Sequence, residues 1–191
     1  MPRKRTISDQ DLLDAALTVV RAAGPEALTF AAAASASGLA ASTLVQRFGT
    51  KAGLLRAALL RAWDLLDEQT AAAAVAAGPG AAGVVDMLVG LSGSYDAHDF
   101  ADQLRVLRED LRDPVLRERG QRWLAVLGQQ VQRRLEPAAP DGIGELVVAH
   151  WQGTLTIWGF TRATPLSEAV RSALTALLTH LRLCPNGTFE Q

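Results

Sequence analysis

The chain has 191 residues, 49% of them hydrophobic, a formal net charge of −1 and a single cysteine, Cys184. That length and composition support a real core and exclude a disordered chain, and one cysteine excludes both an intramolecular disulfide and a cysteine metal site. No charged-then-apolar leader and no apolar run of ~18 residues is present, so neither a signal peptide nor a membrane span is expected, and a reducing cytoplasm is the expected compartment.

The small net charge hides an asymmetry. Residues 1–61 hold eight basic residues (Arg3, Lys4, Arg5, Arg21, Arg47, Lys51, Arg56, Arg61) against four acidic ones (Asp9, Asp11, Asp14, Glu26), a balance of +4 that leaves −5 for the remainder. A basic end on a mildly acidic body suits a protein that presents one end to phosphate.

In chain order, Ser8 and Asp11 make a start resembling a capping box, and Leu12, Leu13, Ala16, Leu17 and Val20 recur at helical spacing until Gly24-Pro25 stops the helix. Thr29 is placed to cap a short helix of small residues over 30–36, Gly38 sits at a turn, and 41–47 form a second short helix ended by Phe48 and Gly49. Two helices around a glycine turn make a helix-turn-helix, with Leu39, Leu44 and Phe48 as anchors and Ser42, Thr43, Gln46 and Arg47 facing out. Thr50 can cap a fourth helix that opens on Lys51 and runs to Gly78-Pro79-Gly80, about 27 residues or roughly 40 Å. A lysine in a first turn opposes the helix dipole, a placement that makes sense if the helix start and the lysine together receive a phosphate. Further helices are expected over 81–94, 100–111, 114–135 with Asp113 as cap, 143–160 and 166–183, with a loop over 136–142. No period-2 run bounded by hairpin turns occurs, so the expected fold is all-α with about nine helices.

The pattern T-F-(x)7-G-L-(x)3-T-L-(x)3-F-G-T-K-(x)2-L-L, carried by Thr29, Phe30, Gly38, Leu39, Thr43, Leu44, Phe48, Gly49, Thr50, Lys51, Leu54 and Leu55, resembles the DNA-binding signature of the TetR family of bacterial transcriptional regulators. It covers residues 29–55 of the 191. Val45 stands where the family usually has a tyrosine that touches a backbone phosphate, and Ala40 where a serine or threonine usually begins the recognition helix. Both departures remove a phosphate hydrogen bond and shift the burden to Thr43, Gln46, Arg47 and Lys51. The resemblance implies an N-terminal three-helix DNA-binding domain, residues 1–50, and a larger helical ligand-binding and dimerisation domain, residues 51–191. The DNA-binding residues expected are Thr29, Ala41, Ser42, Thr43, Val45, Gln46, Arg47 and Lys51, with the arm Arg3, Lys4 and Arg5 on phosphate or in a minor groove.

The last two helices read as a partner surface. Leu146, Ala149, Gly153, Thr156, Ile157 and Phe160 share one face, and Val170, Leu174, Leu177 and Leu181 lie on an apolar stripe of the other, a set that would give a four-helix dimer interface or pack inside the subunit. A single helix-turn-helix reads few base pairs, so a homodimer on a palindromic double-stranded DNA operator is expected, as the resemblance also implies. A small-molecule effector pocket is implied as well. Its candidate lining is Met87, Leu91, Tyr95, Phe100, Leu104, Trp123, Leu127, Trp151 and Trp158, with Gln121, His150 and Thr154 as polar contacts, although aromatic residues at helical spacing are more often core than pocket.

His98, His150 and His180 lack metal-ligand spacing, Asp96, Asp99 and Asp102 read as a solvated or capping cluster, and no phosphate loop, nucleotide fingerprint or nucleophile elbow occurs. No catalytic residue, metal or cofactor is therefore expected. The reading is a ligand-responsive repressor. Its rivals are an activator or a regulator without a ligand and, from another class, a helical enzyme or interaction module with a vestigial headpiece.

Overall fold

A computed structural model of the chain describes residues 7–93 and 97–182, with the side chains of 97–102 excepted. In order, the elements are α1 (Asp9–Ala23), a 3₁₀ turn (Pro25–Ala27), α2 (Phe30–Ser37), α3 (Ala41–Phe48), α4 (Lys51–Ala76), α5 (Gly80–Ser92), α6 (Ala97–Arg112), α7 (Pro114–Leu135), α8 (Ile143–Thr161) and α9 (Leu166–His180). Among the described residues these nine helices occur without a strand, as the helical periodicity predicts. α6 begins at Ala97, before the expected residue 100. Among the described residues no helix is long and apolar enough to cross a membrane.

The local reasons are those of the sequence. The Ser8 hydroxyl oxygen accepts from the Asp11 amide at 3.1 Å and caps α1. Thr29 accepts from the Ala32 amide at 3.0 Å and caps α2. Thr50 accepts from the Gly53 amide at 3.0 Å at the start of α4. Asp113 caps α7 through the amides of Val115 and Leu116, 2.9 and 3.4 Å away. Each cap satisfies an amide that the helix leaves without a partner and is worth about 1 kcal/mol.

The chain divides into two compact units. One comprises Met1–Leu66 with Ala101–Gly120, the other Asp67–Phe100 with Gln121–Gln191. In the first, Leu12, Ala16, Leu17 and Val20 of α1 pack with Leu28, Ala33 of α2, Leu44 of α3, Leu54, Ala58 and Leu59 of α4, and Leu116 of α7. Leu12, Leu28, Leu44 and Leu54 are wholly buried, each stabilising the unit by about 1.5–3 kcal/mol. In the second, α5 packs on α9 and α9 on α8. Its core holds Val84, Met87, Leu88, Trp123, Leu127, Val131, Val147, Trp151, Val170, Leu174 and Leu178.

Two buried indole donors of the second core are paired. Trp123 Nε1 donates to Thr70 Oγ1 at 3.0 Å, and Trp151 Nε1 donates to Ser92 Oγ at 2.9 Å. Two indoles that find hydroxyl partners can sit fully inside without the cost of an unsatisfied donor. Their ring centroids lie 6.4 Å apart at a tilt of 49°.

Candidate nucleic-acid interface

The site is built from α2, the turn after it, α3 and the first turn of α4. Gly38 ends α2 in the left-handed conformation (φ 74°, ψ 12°), and its amide closes the helix on the Ala34 carbonyl. That backbone is cheap only for glycine, which is why the turn between the two helices falls there. α3 then presents two unlike faces. Leu44 is wholly buried, while Ser42, Gln46 and Arg47 are exposed, and Val45 is 44% exposed. Thr43 is half-buried and Ala41 exposed. The buried leucine fixes the helix against the core, so the outward side chains hang from a rigid support.

Thr29 is exposed and its oxygen is already the α2 cap. Arg47 donates to Asp9 Oδ1 of α1 at 2.5 Å, with Asp9 74% exposed. Lys51 Nζ donates to the backbone carbonyl of Glu26 at 2.7 Å. Ala40, which begins α3, makes no side-chain cap, as its methyl group requires. Arg3, Lys4 and Arg5 lie outside the described residues.

Asp9 and Glu26 were not singled out by sequence reasoning, because they stand 38 and 25 residues from the cations they hold and no local spacing joins them. The Glu26 carboxyl is held below its usual range, first by a hydrogen bond from its own backbone amide and then by Arg105. In the same unit, Trp63 Nε1 donates to Asp110 Oδ1 at 3.1 Å. Burial pushes the Asp110 carboxyl up to about 6 despite that bond, with Glu109 adding to the rise.

Residues 12–58 match the family profile described as bacterial regulatory proteins, tetR family. Over these residues the headpiece is similar to that of the TetR family of bacterial regulatory proteins. No curated protein matches the chain in sequence. Among solved structures, the TetR-type fold extends over nearly the whole chain. A transcriptional regulator from Rhodococcus sp. Rha1 is 17% identical, with a TM-score of 0.73 over 91% of this chain and 97% of its own. The multidrug binding protein EbrR, complexed with proflavin, is 25% identical, with a TM-score of 0.62 over 88% and 98%. A cysteine mutant of the TetR family regulator CifR, complexed with 26-base-pair operator DNA, is 21% identical, with a TM-score of 0.67 over 91% and 99%.

Outside the TetR-type headpiece, the expected positions separate by burial. Leu146 is 49% exposed, Ile157 64% and Phe160 88%, and Ala149, Gly153 and Thr156 of the same α8 face are exposed too. The expected α9 stripe divides by burial. Val170 and Leu174 are wholly buried in a helix that packs on α5 and α8, so they serve the subunit core, while Leu177 and Leu181 are half-buried.

The residues expected to line a pocket divide between core and surface. Met87, Trp123, Leu127, Trp151 and Trp158 are core side chains packed at 7% exposure or less, Leu91 is half-buried, and Leu104 and Gln121 are exposed. Tyr95 and the side chain of Phe100 lie outside the described residues. Two open cavities flank α8 instead. One of about 570 Å³ lies between α7 and α8, lined by Leu124, Ala125, Glu145, Val148, Ala149 and Gln152. The other, about 280 Å³ between α8 and α9, brings together the expected His150, Thr154 and Trp158 with Ile157, Thr161 and Thr164. Trp158 Nε1 there donates to the Thr164 carbonyl at 2.8 Å.

Proposed function

We propose that the protein is a ligand-responsive transcriptional repressor that binds a palindromic operator as a homodimer and is released when a small molecule binds its C-terminal part. The observation that carries the reading is α3, with Leu44 anchored inside and Ser42, Gln46 and Arg47 exposed on one side, next to Lys51 at the start of α4. DNA reading is assigned to residues 1–50 with Lys51, and effector binding and dimerisation to residues 51–191. Ser42, Thr43 and Gln46, flanked by Ala41 and Val45, approach base edges in a major groove, while Thr29, Arg47, Lys51 and the arm Arg3 to Arg5 take phosphate or, for the arm, a minor groove. No step of this function requires catalysis or a cofactor, and a DNA-binding role is exercised in the cytoplasm.

The exposed apolar face of α8, from Leu146 to Phe160, supports a symmetric pairing of two subunits, since a second copy would remove Ile157 and Phe160 from water. An effector in the body then changes the tilt of α4 and with it the separation of the two α3 helices, so both half-sites can no longer be held together. The effector must bind the widened state more tightly than the narrow one, or nothing shifts. The likeness to EbrR, a multidrug binding protein complexed with proflavin, supports an effector role, and we assign that role to the cavity of His150, Thr154 and Trp158. One observation favours a regulator without a small ligand: Trp123 and Trp151, expected to line a pocket, are packed core, and their indole donors are satisfied internally.

Selection of binding sites from random duplex DNA tests the reading. An inverted repeat is the expected product, and Gln46→Ala is expected to change the base preference within it. Recovery of unrelated sequences by a folded, dimeric protein would remove the operator-reading function, and uniform weakening on all sequences would remove Gln46 from the bases.

A further inference from the structure

Four residues of the head unit form a continuous path from α6 to the start of α4. The Arg105 guanidinium donates to Glu26 Oε2 at 2.8 Å, and Arg108 adds a second cation 4.0 Å from the other carboxylate oxygen. A Cβ placed on Gly24 would overlap the Arg105 guanidinium, so this group lies against the bare backbone of the 3₁₀ turn. Gly24 also holds φ 84°, which a side chain would strain. The Lys51 ammonium reaches the same turn, where Nζ meets the Glu26 carbonyl oxygen at 2.7 Å. The hydrogen bonds of the turn itself run from the Ala27 amide to Gly24 and from the Leu28 amide to Pro25, which leaves the Glu26 carbonyl for the lysine.

A lysine head is a point charge on a flexible four-carbon stem with rotamer entropy to lose. One of its three donors fixed on a carbonyl orients the other two. The orientation is as good as the position of that carbonyl, and Arg105 with Arg108 holds the turn that carries it. Two cations on one carboxylate form a small network, which an isolated surface pair does not.

We propose that Arg105 is a positioning residue for DNA binding, which acts through Glu26 to aim the Lys51 ammonium, so that phosphate capture at the start of α4 depends on where α6 lies. This rests on the reading of Lys51 as a phosphate ligand. A shift of α6 that withdraws Arg105 loosens the turn and returns Lys51 to its free rotamers, which lowers affinity without any change in the residues that face DNA.

The test is the binding of a mixed-sequence duplex over a range of salt by the wild type, Lys51→Ala, Glu26→Gln and Glu26→Gln with Lys51→Ala. Charge alone makes Glu26→Gln bind tighter, because a negative group has gone. The proposal requires the opposite sign: weaker binding and a salt slope lowered by up to about 0.9, the share of one phosphate, with no further loss once Lys51 is already alanine. Tighter binding by Glu26→Gln, or an unchanged slope, overturns the coupling and leaves Lys51 as a phosphate ligand. A wild-type slope for Lys51→Ala removes the phosphate reading itself and the coupling with it. If Glu26→Gln melts at a lower temperature than the wild type, Arg105→Gln replaces it. The same dependence on Lys51 is then required, and an equal loss with and without Lys51 overturns the proposal.

Discussion

Arg47 and Lys51, the cations assigned to phosphate, are each held by an oxygen of the protein, and the two holders differ in kind. Glu26 offers Lys51 a neutral carbonyl, whereas Asp9 offers Arg47 a charged carboxylate at 2.5 Å that competes with phosphate. Asp9→Asn is therefore expected to tighten DNA binding on the order of two- to fivefold, since an exposed ion pair is worth about 0.2–1 kcal/mol. Titration with labelled duplex at fixed salt measures this, and weaker binding by the variant would mean that Asp9 orients Arg47 and does not restrain it. Asp110 behaves in the reverse way to a surface acid. The residue is 9% exposed and burial pushes its carboxyl up to about 6 from an ordinary value of 3.8, so the folded state takes up its proton more readily than the unfolded one. The stability this gives is present below pH 4 and lost as pH rises through 6. Asp110→Asn should stabilise the protein by on the order of 1–3 kcal/mol at pH 8 and by almost nothing at pH 4, read from urea midpoints at the two values. None of these partners was legible in the sequence, because Asp9, Glu26 and Asp110 meet Arg47, Lys51 and Trp63 only through tertiary folding.

At the scale of elements, the signals that spoke were local ones. Ser8, Thr29 and Asp113 cap the helices they were read to cap, and Gly38 turns the chain between α2 and α3, because cap and turn chemistry acts over two to four residues. Gly38 has no atom within 4 Å of an added Cβ, so its substitution is limited by the left-handed backbone alone. Gly38→Ala should cost about 1 kcal/mol and Gly38→Asn less, as asparagine tolerates that conformation better. Thermal or urea unfolding distinguishes the two, and equal costs would show that the turn can relax. Helix amphipathicity was less informative. Val170 and Leu174 share an apolar face at i, i+4 and Ile157 and Phe160 at i, i+3, yet the first pair is wholly buried and the second is 64% and 88% exposed. A stripe states that a face is apolar. It does not state whether the face meets the same chain or another.

For the whole molecule, that contrast becomes a prediction about assembly. Leu174→Ala removes a fully buried side chain and should cost about 2–5 kcal/mol of stability. Phe160→Glu alters an exposed one, and it should leave the melting of the subunit intact while shifting sedimentation from dimer towards monomer. A Phe160→Glu protein that remains dimeric would exclude this α8 face from the interface. The tryptophans show why a pocket was harder to read than a headpiece: a large apolar residue has the same signature in a core and in a cavity wall, and only the partners of its donor tell them apart. The head unit has a further consequence for engineering. It is assembled from two separate stretches, Met1–Leu66 and Ala101–Gly120, and Leu116 from the second stretch is 2% exposed in its core. A chimaera made by a single cut after α4 has begun would carry the reading helix into a new host but abandon Leu116, Val106 and the Asp113 partner of Arg56. Exchange of DNA specificity between such regulators thus calls for a two-piece graft, or for substitution of the few outward residues of α3 within an otherwise untouched scaffold.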